Sequence, residues 1–126
     1  MVVKRTAYGY RETAVRVTEA IESRGLTLFA RIDHAAGARA AGLELADEQV
    51  LLFGNPRAGT PLMGSDPRVG IELPLRILIW ADASGVLLGY RDPRELDGPY
   101  DIGAEEQPIL EQMAILLAQV VDEAAT

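Results

Sequence analysis

Few side chains in this sequence are suited to chemistry, and most of them fall at the ends of apolar runs. His34 is the only histidine, and imidazole is the side chain best suited to moving a proton near neutral pH. It closes the alternating run LTLFARIDH, directly after Asp33. A carboxylate can orient an imidazole, but neighbours on a strand point to opposite faces, so Asp33 is not the expected partner. Asn55, Thr60, Tyr90 and Asp92 are the candidates, because each lies at a strand end or in the segment after one. Brought together, His34 as general acid or base with Asn55 and Tyr90 as polar orienters would make a small enzyme. The structural use of His34 is to cap the helical turn after it or to tie two loops together.

The segment LLFGNPRAGTPLMGSDP (51–67) raises a second possibility. Its glycines at Gly54 and Gly59 have phosphate-loop spacing. Such a loop also needs a lysine on the phosphates and a hydroxyl on magnesium. Here Thr60 stands at the lysine position and Pro61 at the hydroxyl position, and the chain's one lysine is the distant Lys4. Proline also removes an N–H that the cradle would use. The spacing is therefore coincidence. What remains reads as an ordered, rigid loop: Asn55-Pro56 and Gly59-Thr60-Pro61 are turn chemistry, Asn55 can bond nearby backbone, and Leu62-Met63 can fold back onto the body.

Other chemistries are excluded or thinly supported. There is no cysteine, so thiolates and disulfides are absent. One histidine among scattered carboxylates offers no metal-ligand spacing, so no metal or cofactor is expected. Ser23, Ser65 and Ser84 lack a nucleophile-elbow setting. Arg76 shares a strand face with Leu78 and Trp80 and needs an anionic or carbonyl partner. Glu72 or Asp92 would serve structurally; an anionic ligand at the sheet edge would serve functionally.

The elements that must position these residues are legible from periodicity. Residues 2–8 read as an edge strand. Ala14, Val17, Thr18 and Ile21 share one face of a helix over 10–24, with Gly25 at its end. Leu26, Leu28, Ala30 and Ile32 alternate with Thr27, Phe29, Arg31 and Asp33 in a strand. AAGARAAG (35–42) is alanine-rich and suits a helical turn or two. QVLLF (49–53), LRILIWA (75–81) and VLLGY (86–90) are strands, the last two joined as a hairpin. Ile109, Leu110, Met113, Leu116, Leu117, Val120 and Val121 make the stripe of a helix over 106–124. The order predicts an α+β fold in one domain over 1–126: a small, mostly antiparallel sheet with helices on one face. The other face would carry Phe29, Leu51, Phe53, Leu78, Trp80 and Leu87. An apolar face that wide is covered by loops or by a second copy, so a homodimer is expected.

Charge narrows the partners. The net charge is −7, and residues 92–126 hold nine acids against Arg94. A chain without a basic stripe is a poor match for a phosphate backbone, so no nucleic acid is expected. No segment approaches the roughly 18–20 apolar residues of a bilayer span, and MVVKRTAYGY lacks the apolar stretch of a secretory signal. A cytoplasmic protein with no membrane partner is the expectation.

The series ARIDHAAGARAAGLEL, LLFGNPRAGTPLM, IELPLRILIWAD and GYRDP resembles the family called domain of unknown function 302. Its members carry similar I-D-H, F-G-N-P, G-T-P-L-M, L-P-L-R and Y-x-D-P motifs in this order. The resemblance covers roughly residues 10–100. It implies a β-α-β(4)-α fold like that of the TATA-binding protein and a tendency to dimerise; it implies no activity. The favoured expectation is a dimeric module for a small ligand or a protein partner. Its pocket would lie near Phe53, Asn55, Met63 and Trp80, with His34, Thr60, Arg76 and Tyr90 as further contacts. The alternatives are the His34 enzyme and a purely structural role.

Overall fold

Five antiparallel strands form one sheet in the order β1-β5-β4-β3-β2, in a computed structural model that describes all 126 residues. The strands are β1 (Val2–Arg5), β2 (Thr27–Asp33), β3 (Glu48–Gly54), β4 (Leu75–Asp82) and β5 (Gly85–Tyr90). The topology follows from one long connection. Helix α1 (Tyr10–Ser23) carries the chain from the β1 edge to the β2 edge. A meander through β2, β3, β4 and β5 then returns and pairs β5 with β1. The expected α+β architecture is what the chain adopts, with β2–β5 as the run of four.

One face of the sheet is covered by α1 and by α4 (Gln107–Ala125). Val17 and Ile21 of α1, Leu117 and Val120 of α4, and Leu51, Ile77 and Leu88 of the sheet are almost fully buried between them. Each such side chain contributes about 1.5–3 kcal/mol of apolar burial. Gly25 ends α1 at φ +70°, a conformation that a side chain disfavours. Helix α4 has no basic residue in its last turn. Arg16 of α1 supplies that charge from outside, donating to the carbonyls of Glu123 and Ala124 at 3.0 and 2.9 Å. Its guanidinium also stacks 4.0 Å from the centre of the Tyr8 ring.

Two expectations about side-chain direction need correction. β2 contains a bulge between Leu28 and Ala30, so that Leu28 pairs with Phe53 and Ala30 with Leu52. The bulge switches faces: Leu28 packs toward the helices, whereas Ala30 and Ile32 turn to the open side. Phe29, the extra residue, projects out at the sheet's end and is 53% exposed. Leu51 and Phe53 also lie on the helix side, where both are completely buried. The open face is built instead from Ile32, Val50, Leu52, Leu78, Trp80 and Leu87.

The segment after β3 differs most from its sequence reading. It is not a loop but helix α3 (Pro56–Ser65), followed by a 3-10 turn over Pro67–Glu72. Asn55 is the N-cap, with its side chain accepting from the Arg57 N–H at 3.0 Å, and Pro56 occupies the first turn. Pro61 lies inside the helix but at an exposed position. The alanine-rich segment is helical as expected, as α2 (His34–Ala40).

Candidate functional site

The chain leaves the sheet at Gly54, runs through α3 and the 3-10 turn, and re-enters at Leu75. This excursion stands over the ends of β2, β3 and β4, and α4 closes the other side. Between them lies a half-open cavity of about 310 Å³. Phe29, Met63, Leu73, Met113 and Leu116 supply most of its apolar wall. Two glycines border it, and a Cβ at either would rest in ordinary contact with the wall, 3.7 Å from the Phe29 ring and Pro74 at Gly54 and 3.4 Å from Leu73 at Gly59. The bulge in β2 acquires a use here, because it aims Phe29 into the wall. The only side-chain hydrogen-bonding groups lining the cavity are those of Asn55 and Thr60, and no ionisable side chain lines it.

The wall made by α3 is held by a polar clasp. Ser65 Oγ accepts the Gly103 N–H at 2.7 Å, and Asp66 Oδ2 accepts the Asp101 N–H at 2.9 Å. Tyr100 donates its hydroxyl to Glu72 at 3.2 Å. These bonds tie the chain just before α4 to the end of α3 and to the 3-10 turn that follows it. Asp66 is nearly buried and pairs with Arg68 at 2.7 Å. Hydrogen bonds from Arg68, then the Asp101 N–H, hold its carboxyl far below the usual carboxylate range.

The residues singled out in the sequence fall into two places. Asn55, Thr60 and Met63 line the cavity. His34 and Arg76 border a shallow trough on the open sheet face, floored by Ile32, Val50 and Leu78. Tyr90 meets the trough at the end of β5, but its side chain is buried on the helix side, in the core with Leu88. Trp80 lies on that open face too, half-buried over Gly89. Phe53 lines neither, because α1 and α4 cover its side of the sheet; its placement in the pocket is therefore corrected. His34, Asn55 and Tyr90 are not brought to one point. Asp33, not His34, caps α2, accepting from the Ala36 N–H at 2.8 Å. Arg76 has neither of its expected carboxylates and donates only to the Ile71 carbonyl at 3.2 Å. Asp92 is instead paired with Arg94, chiefly through side-chain hydrogen bonds that lower its pKa. Burial raises the pKa of the Tyr90 phenol.

Sequence reasoning missed Phe29, Met113 and Leu116 as site residues. The two on α4 sit at ordinary core spacing, so nothing in the pattern separates a cavity wall from a packed core. No group of histidine, aspartate and glutamate side chains is arranged to hold a metal ion.

Relatives extend this picture. The chain is 37% identical over 114 residues to a protein of Brucella suis named "Fluoride-specific ion channel FluC 1", covering 90% of this chain and 45% of that one. A Brucella abortus protein of the same name matches at 37%, with 42% of its length covered. The chain thus spans less than half the length of these relatives. Its fold is that of an uncharacterised conserved protein from Bacillus stearothermophilus. That crystal structure superposes with a TM-score of 0.86 at 18% identity, over 98% of this chain and 96% of the other. A family model matches residues 2–123, and with it the ordered motifs of the sequence find their place: the chain belongs to the family described as Domain of unknown function DUF302.

Proposed function

We propose that this protein is a dimeric binding module that holds a small molecule in the cavity between α3, Phe29 and α4. The observation that carries the reading is the cavity itself. It is apolar and half-open, and it is lined by six positions of the F-G-N-P and G-T-P-L-M motifs: Gly54, Asn55, Pro56, Gly59, Thr60 and Met63. Binding sites are concave, mostly apolar and supplied with a few polar groups, and this one has that make-up. The open sheet face supports the dimer. Ile32 is 46% exposed there, beside Val50, Leu52, Leu78 and Trp80, and a second copy would cover them.

The channel activity named for the Brucella relatives is not proposed for this chain. No helix here is long and apolar enough to cross a membrane, and the sheet is open, with β1 and β2 as free edges. We place that activity in the part of those proteins that this chain does not match.

The test is native mass spectrometry of the purified protein beside its Gly59→Phe variant, whose ring would occupy the cavity. The expected result is a dimer carrying extra mass, or gaining it with toluene, and a variant that carries none. A chain that takes up nothing, and whose melting temperature toluene does not raise, refutes the binding reading. A monomer, unchanged in size by Leu78→Asp, refutes the dimer.

A further inference from the structure

The chemistry of the cavity says what kind of molecule it takes, if the binding reading above holds. None of its lining residues is ionisable, in a chain where a quarter of the residues are charged. A charged ligand group carried into this wall would lose its water and meet no counter-charge, which is costly. The cavity is not without polar groups, however. Asn55 spends its side-chain oxygen on the Arg57 N–H, which leaves its amide NH₂ without a partner in the protein. Thr60 lines the cavity too, and its hydroxyl makes no hydrogen bond within the protein. Both are donors, carried five residues apart by the N-cap and the first half of α3, and both residues line the cavity.

Size sets the other limit. At the roughly 30 Å³ that a water molecule occupies in the liquid, 310 Å³ is room for about ten non-hydrogen atoms. The walls favour a flat or flexible apolar body, with the Phe29 ring and the Met63 and Met113 thioethers available for contact with a ring face or edge.

We infer that the cavity takes an uncharged, largely apolar molecule of about ten non-hydrogen atoms that carries a hydrogen-bond acceptor, such as a carbonyl, directed at Asn55 and Thr60. The acceptor end lies at α3 and the apolar end against Phe29 and α4. This excludes carboxylates and amines of the same shape, and it excludes phosphorylated compounds.

The experiment is an amide NMR titration of the isotope-labelled full chain with four probes of nearly equal shape: acetophenone, ethylbenzene, benzoate and benzylamine. The wild type, Thr60→Val and Asn55→Asp are compared. Thr60→Val keeps the shape and removes the hydroxyl. Asn55→Asp keeps an N-cap acceptor for the Arg57 N–H and removes the amide donors. Acetophenone and ethylbenzene are expected to shift the Gly54, Gly59 and Gly70 amides, acetophenone binding about fivefold tighter. Benzoate and benzylamine are expected to bind more than about tenfold weaker than acetophenone. Each variant is expected to abolish the preference for acetophenone over ethylbenzene while leaving ethylbenzene binding in place in Thr60→Val. Benzoate or benzylamine binding as tightly as acetophenone overturns the inference and leaves the cavity as a binding site. An acetophenone preference that survives both variants overturns the roles of Asn55 and Thr60. No shift at these glycines with any probe refutes the binding reading itself.

Discussion

Leu62 and Met63 are adjacent in the G-T-P-L-M motif, and the fold gives them opposite jobs. Leu62 is completely buried beneath α3, whereas Met63 is 39% exposed and lines the cavity. Leu62→Ala deletes three carbons from a closed core. At about 0.8 kcal/mol per buried carbon that is about 2.4 kcal/mol, and the void left behind raises the cost to about 3 kcal/mol. Unfolding a chain of this length releases about 0.26 kcal/mol per kelvin, from roughly 2.1 cal/mol/K per residue. The melting temperature should therefore fall by about 11 °C. Met63→Ala removes a side chain that already borders open space and places a better helix former on α3. It should cost less than about 1 kcal/mol, or less than about 4 °C. Thermal and urea unfolding followed by far-ultraviolet circular dichroism measures both. Toluene or acetophenone binding should weaken in Met63→Ala despite its near-native stability. Equal losses of stability in the two variants, or a loss below about 1 kcal/mol for Leu62→Ala, would refute the assignment of one residue to the core and the other to the cavity.

Acid should destabilise the protein through Asp66, Asp82 and Asp92. All three carboxyls are lowered in the folded chain, by Arg68, Ser84 and Arg94 respectively as the leading causes. A lowered folded-state pKa adds stability above the ordinary carboxylate pKa of about 4, and that stability is lost as the pH falls below it. Urea midpoints measured from pH 5 downward should drop, and Asp66→Asn should flatten the drop; an Asp66→Asn profile parallel to the wild type would count against the Asp66–Arg68 pair as its source. His34→Ala should change stability by less than about 0.5 kcal/mol, because the ring is exposed and makes no hydrogen bond, and it should leave toluene binding at the cavity unaltered. A complete loss of binding in that variant would move the site to the open face. Gly89→Ala should shift the emission of the lone tryptophan, since a Cβ there would lie 3.0 Å from the Trp80 ring; an unchanged spectrum would mean that the indole does not rest on Gly89.

The fold was largely legible because its signals are long. The stripes on α1 and α4 run for several turns, and the strands of the meander are bounded by turn residues. The errors were local and each has a cause. Strict alternation through 26–33 fails because one extra residue at Phe29 reverses every side chain after it, and no composition rule marks a bulge at a phenylalanine. Leu51 and Phe53 went to the wrong face because a run that is apolar on both sides fixes no orientation. The cavity was half legible: its α3 wall carries the motif residues, but its α4 wall is written in the same leucines and methionines as the core.

The α3 segment shows how one local signal carries two meanings. Asn-Pro reads as a turn, and it is equally an N-cap followed by proline in the first helical turn. The same device occurs three times, at Asn55-Pro56-Arg57, Asp66-Pro67-Arg68 and Asp92-Pro93-Arg94. In each, the first side chain accepts the arginine N–H at 3.0 Å. All three open a helical turn, so here the capping meaning wins. If the cap at Asn55 sets the start of α3, then Asn55→Ala should cost about 1 kcal/mol. Asn55→Asp, which keeps the acceptor and suits the positive end of the helix, should cost little or nothing. Amide exchange at Arg57, Ala58 and Gly59 locates the effect: protection should fall in Asn55→Ala and persist in Asn55→Asp. Equal protection in all three proteins would mean that the packing of Leu62, rather than the cap, holds α3 over the cavity.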